Sequence, residues 1–162
     1  MIKKILSKSF IISSLLVFSI FLPAKVSKNY VIYLDNKFHG SQIFSSKFLN
    51  IQLLWNEGIA FGLLSLTQEK FYNLLTIFIL IVIVIILYLT FKSKGLKKYS
   101  MLLIFGGAIG NLYDRIFYKA VPDFIDFHVG NFHWFIFNVA DIFITLGVIF
   151  MISFEFSINQ KE

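Results

Sequence analysis

The stretch "FNVADIF" at residues 137–143 sets an amide and a carboxylate, Asn138 and Asp141, into a run that is otherwise apolar. An unpaired carboxylate at membrane depth costs on the order of 3 kcal/mol on insertion scales, so such a group is held by partners and is a functional candidate by default. A second carboxylate, Asp123, lies eighteen residues earlier in "YKAVPDFIDFHVGNFHW". Two carboxylates within reach of each other share one proton, because both cannot ionise cheaply at short range. The ionised member can take a proton from water while the protonated one polarises a peptide carbonyl, which is the acid–base arrangement of an aspartic protease. Such a pair needs no metal and no covalent intermediate, and it titrates as a unit. A salt bridge from Asp141 to Arg115 is the purely structural alternative.

The elements that must position this pair follow from composition. The 162 residues are 57% hydrophobic and 19% aromatic but only 15% charged, which places the chain among membrane proteins and excludes disorder or a second soluble domain. Cysteine is absent, which removes disulfides, thiolate catalysis, Cys-ligated metals and lipidation of this chain itself. The net charge is +6, but the lysines gather at the flanks of apolar runs, so anionic lipid headgroups rather than nucleic acid are the expected partner.

Uncharged runs over Ser9–Ala24 and Phe71–Phe91 approach the ~20 residues that a helix needs to cross ~30 Å of hydrocarbon. A shorter run covers Tyr99–Tyr113, and a fourth covers Trp134–Phe154 with Asp141 as its only charge. The expected architecture is therefore an all-α, four-transmembrane-helix bundle forming one domain over 1–162, with spans near 9–25, 71–91, 99–115 and 134–155. The first run also has the form of a cleaved secretory signal peptide. Lys3, Lys4 and Lys8 precede it, and Lys92, Lys94, Lys97 and Lys98 fill the acid-free connection between the second and third spans. The positive-inside rule puts both groups, and hence both termini, in the cytoplasm. The outer segment 26–70 contains Leu49, Ile51 and Leu53 alternating with Asn50 and Gln52, a strand period, with Gly58 and Gly62 at turn or bulge positions. A small extracytoplasmic sheet after the first helix is expected there. Pro122 and Gly130 mark residues 116–133 as a second outer loop.

In the third span, Gly106 and Gly110 have GxxxG spacing and allow another backbone to approach closely. Asn111 and Arg115 lie four apart on one helical face, with Asp114 beside them, and Asn138 and Asp141, three apart, share a face of the fourth helix. Because the third and fourth spans are antiparallel neighbours, Asp123 and Asp141 can meet near the outer interface. His128 and His133 are five apart with no third ligand in obvious register, so they read as loop histidines, and no metal or other cofactor is expected. No Ser-His-Asp arrangement and no glycine-rich phosphate loop is present.

The stretches "NEGIAFG" at 56–62, "GGAIGNLYDR" at 106–115, "VPDF" at 121–124 and "FNVAD" at 137–141 closely resemble the lipoprotein (type II) signal peptidases, in that family's order and spacing and over nearly the whole chain. The resemblance implies a four-span aspartic endopeptidase of the bacterial cytoplasmic (inner) membrane. It implies that Asp123 and Asp141 are the catalytic dyad, near the outer face, cutting a diacylglyceryl-modified prolipoprotein just before its lipidated cysteine. Asn56, Gly58, Asn111, Arg115 and Asn138 fall on the family's polar site positions, where they would support the dyad and bind substrate, while Asp126 falls outside that set. The family's first span ends in a DQx(T/S)K pattern. Here the stretch is "AKVSK": Ala24 replaces the Asp and Lys25 the Gln, while Ser27 and Lys28 match, Lys28 joining the supporting set. This partial match argues that the first span is retained. The implied partners are prolipoprotein substrates and membrane lipids, with the chain expected as a monomer. The same carboxylates also fit a small proton-coupled membrane carrier, and Ala24 fits a relative that binds lipoproteins without cutting them.

Overall fold

A computed structural model describes residues 7–58 and 69–159. Among these residues the chain forms α1 (Lys8–Lys37), β1 (Phe44–Ser45), β2 (Leu49–Asn56), α2 (Glu69–Lys92), α3 (Gly95–Tyr118), β3 (Val121–Val129), β4 (Phe132–Phe137) and α4 (Val139–Asn159). Residues 59–62 of the "NEGIAFG" stretch, with Gly62, and Lys3 and Lys4 lie outside the described residues.

Among the described residues, three helices are long and apolar enough to cross a membrane: α1, residues 70–92 of α2 and residues 139–157 of α4. They turn large apolar side chains outward, among them Leu15, Phe18, Leu74, Phe78 and Phe150, which suits hydrocarbon rather than water as the surrounding medium. The fourth helix, α3, is less apolar because it is the central one, packed against α1, α2 and α4. It buries Met101, Leu102, Ile104, Phe105 and Leu112 together with Asp114 and Arg115. Ile83 of α2 joins Phe105 and Leu112 in a core that Val17 of α1 also touches.

The helix–helix contacts are set by small residues, though not in the GxxxG pairing read from the sequence. A Cβ on Gly106 would meet the Ile20 side chain of α1 at 3.0 Å, whereas one on Gly107 would lie 2.5 Å from the Ala140 carbonyl oxygen of α4. Gly110 also faces Ala140, and on α4 Gly147 leaves no room for a Cβ beside the Ser100 carbonyl. The small stripe against α4 is therefore Gly107 and Gly110, three apart, and Gly106 serves a different neighbour.

Two helix boundaries differ from the sequence reading. α1 runs on to Lys37 rather than stopping near residue 25, because Lys25 and Lys28, one turn apart, face inward to Asp114 and their charge does not end the helix. α4 begins at Val139 and not at Trp134. The preceding "FHWFIF" is β4; apolarity alone does not separate strand from helix, and its aromatic residues favour the pleated form.

Residues 116–133 are also not the loop suggested by Pro122 and Gly130. They hold β3 and a two-residue turn into β4, with Gly130 at φ +59 supplying the left-handed residue that a hairpin turn of the II′ kind requires. The sheet is antiparallel in the order β1-β2-β3-β4, so the strand expected at 49–53 pairs with the presumed loop: Asn50 opposite Asp126, Leu54 opposite Asp123 and Asn56 opposite Val121. The segments between α1 and α2 and between α3 and α4 thus build one sheet, and β3 and β4 lead from the end of α3 to the start of α4.

A Gly107→Ala substitution should disturb this junction, because the new methyl meets backbone at Ala140, next to Asp141. The expected result is a loss of about 1–3 kcal/mol of stability in a detergent unfolding titration, the usual scale of overpacking. Unaltered unfolding would show that α4 can shift away at no cost.

Candidate active site

α4 starts with a reciprocal cap. The Asn138 Oδ1 accepts from the Ala140 N–H at 2.8 Å, and the Asn138 N–H donates to the Asp141 Oδ2 at 3.0 Å. This is a capping box with Asn138 at the N-cap and Asp141 three residues on. Asp141 therefore lies in the first turn, where the N–H ends of the helix favour negative charge. Its placement corrects the expectation that Asn138 and Asp141 are neighbours on one face of a continuing helix.

The remaining group of the Asn138 side chain reaches the other carboxylate. Its Nδ2 donates to the Asp123 Oδ1 at 2.6 Å, and it also approaches the Asn111 Oδ1 at 3.3 Å. Asn138 is fully buried, at 0% exposure, so it can serve both carboxylates only in this one arrangement. The opposite oxygen of Asp123, Oδ2, accepts from the Asn56 Nδ2 at 2.8 Å. Asn56 in turn accepts the Gly58 N–H on its Oδ1 at 2.9 Å, which fixes the amide orientation. Burial raises the Asp123 carboxyl, and the Asp141 charge adds to it; the Asn138 and Asn56 hydrogen bonds and the Lys28 charge oppose them, and the outcome is a pKa of about 6.

α3 closes the site from the third side. Asn111 donates from Nδ2 to the Asp141 Oδ1 at 2.7 Å and accepts on Oδ1 from the Lys28 Nζ at 2.6 Å. Lys28, 1% exposed, also donates to the Asp114 Oδ2 at 2.7 Å, and Lys25 to the Asp114 Oδ1 at 2.6 Å. Asp114 has 0% exposure and is thus neutralised by two cations from one helix. Arg115, the sole arginine, donates to the Gly58 carbonyl, while its own carbonyl accepts from the Tyr72 hydroxyl at 3.1 Å. Its Nη1 is buried with no hydrogen-bond partner among the described residues, leaving a donor available at the site.

Asp123, Asp141, Asn56, Gly58, Asn111, Arg115, Asn138 and Lys28 thus fall into one connected set of contacts. Asp123 and Asp141 are joined through Asn138, and the Arg115 partner is Gly58 rather than Asp141. Asp126 stays apart, on the other side of β3, with Asn50 and His133. Sequence reasoning placed Asp114 only beside Asn111 and Arg115 and missed it as the central buried anion, and it missed Lys25 as its partner. The signal was there: Lys25 and Lys28, three apart on one helical face at the end of an uncharged run, can share one anion. Lys25 also lies 4.3 Å and 4.5 Å from the ring centres of Tyr113 and Tyr118, while Ala24 beside it is fully buried.

Comparison with known proteins gives the arrangement a context. Residues 16–157 match the profile of the family described as signal peptidase (SPase) II. The chain is similar to a lipoprotein signal peptidase of Pelagibacter ubique (strain HTCC1062), 44% identical over 159 residues, covering 98% of this chain and 96% of the relative. It is also similar to one of Francisella tularensis subsp. novicida (strain U112), 40% identical over 82% of this chain and 86% of the relative. Two solved structures, both described as bacterial membrane enzymes studied by the in meso method, superpose with TM-scores of 0.73 and 0.72. The first is 32% identical and covers 93% of this chain and 90% of its own; the second is 30% identical and covers 86% and 89%.

The two duties of Asn138 can be separated. Asn138→Ser keeps a good helix cap but removes the donor to the buried Asp123 carboxyl, so turnover should fall and stability drop by about 1–3 kcal/mol; Asn138→Ala should lose turnover and a further ~1 kcal/mol from the cap. Equal turnover in parent and serine variant would remove Asn138 from the dyad. Lys28→Met should cost about 3 kcal/mol or more by leaving Asp114 with one partner in a buried site, measured by unfolding in detergent.

Proposed function

The chain belongs to the signal peptidase II family, and on that basis we propose that it is a membrane aspartic endopeptidase that removes signal peptides from diacylglyceryl-modified prolipoproteins, cutting N-terminal to the lipidated cysteine. The observation that carries this reading is that one buried residue, Asn138, bonds both Asp123 and Asp141. With one proton between them, the ionised carboxyl draws a proton from the attacking water and the protonated carboxyl donates to the scissile carbonyl oxygen. Asn56, Asn111 and Asn138 hold the two carboxyl planes. Gly58, pinned by Arg115, and the free Nη1 of that arginine are placed to bind substrate backbone.

In this reading residues 1–162 form a single integral membrane domain in the bacterial cytoplasmic membrane, with α3 as the fourth span. At 24 residues α3 is about 36 Å long, enough to cross the hydrocarbon. Both termini lie in the cytoplasm, and the sheet and dyad lie at the outer face, where a lipidated substrate keeps its acyl chains in the bilayer while its peptide reaches the carboxyls. The protein acts as a monomer among membrane lipids. Family membership is that of a peptidase, which displaces the carrier reading. The double neutralisation of Asp114 by Lys25 and Lys28 supports a site assembled for turnover despite Ala24.

Purified protein should cleave a diacylglyceryl precursor, and Asp123→Asn and Asp141→Asn should each reduce cleavage by at least about 10³-fold, the scale seen when a reacting group is removed. Undiminished cleavage by either variant would refute the dyad. The pH dependence follows from Asp123. Its folded pKa lies above the ordinary carboxylate value, so its contribution to stability is complete at low pH and is lost as pH rises through about 6. kcat/KM should decline on the alkaline side over the same interval, as the shared proton leaves. A profile that is flat through that region would contradict proton sharing.

A further inference from the structure

The outer hairpin places three potential metal ligands together. Asp126 and His128 are two apart on β3 and point to one face of the sheet, while Asp123, three residues before Asp126, points to the other. His133 on β4 is directly opposite His128. It reaches that face because the pairing shifts between Asp126 and His128: Asp126 is opposite Ile136, but His128 is opposite His133, so β4 carries one extra residue. A bulge of this kind re-aims a side chain, and here it turns His133 toward Asp126. The sequence spacing of five between the histidines hid the third ligand because that ligand comes from across the strand pair.

The ligand atoms of Asp126, His128 and His133 all lie within 4.8 Å of one another. His133 Nδ1 is 2.9 Å from the Asp126 Oδ2, and the two imidazoles stack with centres 5.0 Å apart and planes at 20°. Asn50 donates to the Asp126 Oδ2 at 3.2 Å, an outer-shell contact of the kind that orients a ligating carboxylate. His128 Nδ1 is buried and has no hydrogen-bond partner among the described residues. A buried polar atom without a partner is costly, and a cation that took this nitrogen together with His133 and Asp126 would satisfy it.

We propose that Asp126, His128 and His133 form a binding site for a divalent transition-metal ion of the zinc class, on the face of the sheet opposite the dyad. Two imidazoles and a carboxylate are ligands of borderline softness that zinc accepts at about 2.0–2.2 Å. Coordination at that distance turns the two stacked rings so that one nitrogen of each converges with the carboxylate, and the remaining position is left to solvent. The ion ties β4 to β3, the two strands that lead to Asn138 and carry Asp123. It takes no part in the cleavage step.

The test uses full-length protein without a histidine tag, stripped with chelator in detergent and titrated with zinc chloride alone. One ion per chain should bind. His133→Ala, whose ring is 52% exposed so that its truncation opens no core cavity, should weaken binding by more than the roughly 10–100-fold that loss of an outer partner costs. Asp126→Asn should weaken it comparably, and Asn50→Ala by less. With Cu2+ in place of zinc, electron paramagnetic resonance should show nitrogen coupling from two imidazoles, falling to one in His133→Ala. Absence of stoichiometric zinc binding by the parent, or equal affinity in parent and His133→Ala, would overturn the site and leave an Asp–His hydrogen bond on the sheet. Asp123→Asn should bind zinc as the parent does, so a failed metal site and a failed dyad give different results.

Discussion

A carboxylate among apolar helices must be given donors by the protein itself, because hydrocarbon offers none. The structure meets that constraint with asparagines. Asn138 and Asn111 each donate from an amide nitrogen to one carboxylate, and the Asn138 backbone N–H supplies a second donor to Asp141. Asparagine suits the task because the oxygen of the same amide can accept elsewhere: for Asn138 from the helix backbone, and for Asn111 from Lys28. Among the described residues neither carboxylate is thereby given a direct cation contact, which would hold it ionised.

The positive charge is kept one residue further away. Lys28 bonds Asn111 and Asp114, and Lys25 bonds Asp114, so the lysines and their anion form a compact group beneath the site. A buried ion pair of this kind adds little net stability compared with an apolar replacement, but its partial removal is expensive, because it strands a charge. Its value to the molecule is geometric: it locks α1 to α3 at the level where Asn111 meets Asp141. The glycine contacts at Gly107 and Gly110 do the same between α3 and α4.

Much of this was legible in the sequence, and the reasons for the rest are specific. The membrane class, the strand at 49–53 and the candidate pair Asp123 and Asp141 follow from composition, from period two, and from carboxylates placed where hydrocarbon would reject them, whereas Asn56, Gly58, Asn111, Arg115 and Lys28 were assigned to the site only by the family resemblance. The hairpin at 121–137 was missed because Pro122 and Gly130 read as breakers. Pro122 sits near the start of its strand, and Gly130 is the turn itself. The end of α1 was missed because a charge run ordinarily ends a span, and only the three-dimensional partner, Asp114, explains inward lysines. The cap was missed because Asn138 and Asp141 at a separation of three fit both a shared helical face and a capping box, and the choice depends on where the helix begins.

The junction between β4 and α4 is a single residue, Asn138, and this has a bearing on synthesis. As the polypeptide leaves the ribosome, the lysines of α1 emerge well before residues 138–141. Until the last helix docks, Asp123 lacks its amide donor from Asn138 and Asp141 is absent altogether. A chain that stops before Asp141 lacks half of the carboxyl pair, and the site is complete only when α4 has joined α3.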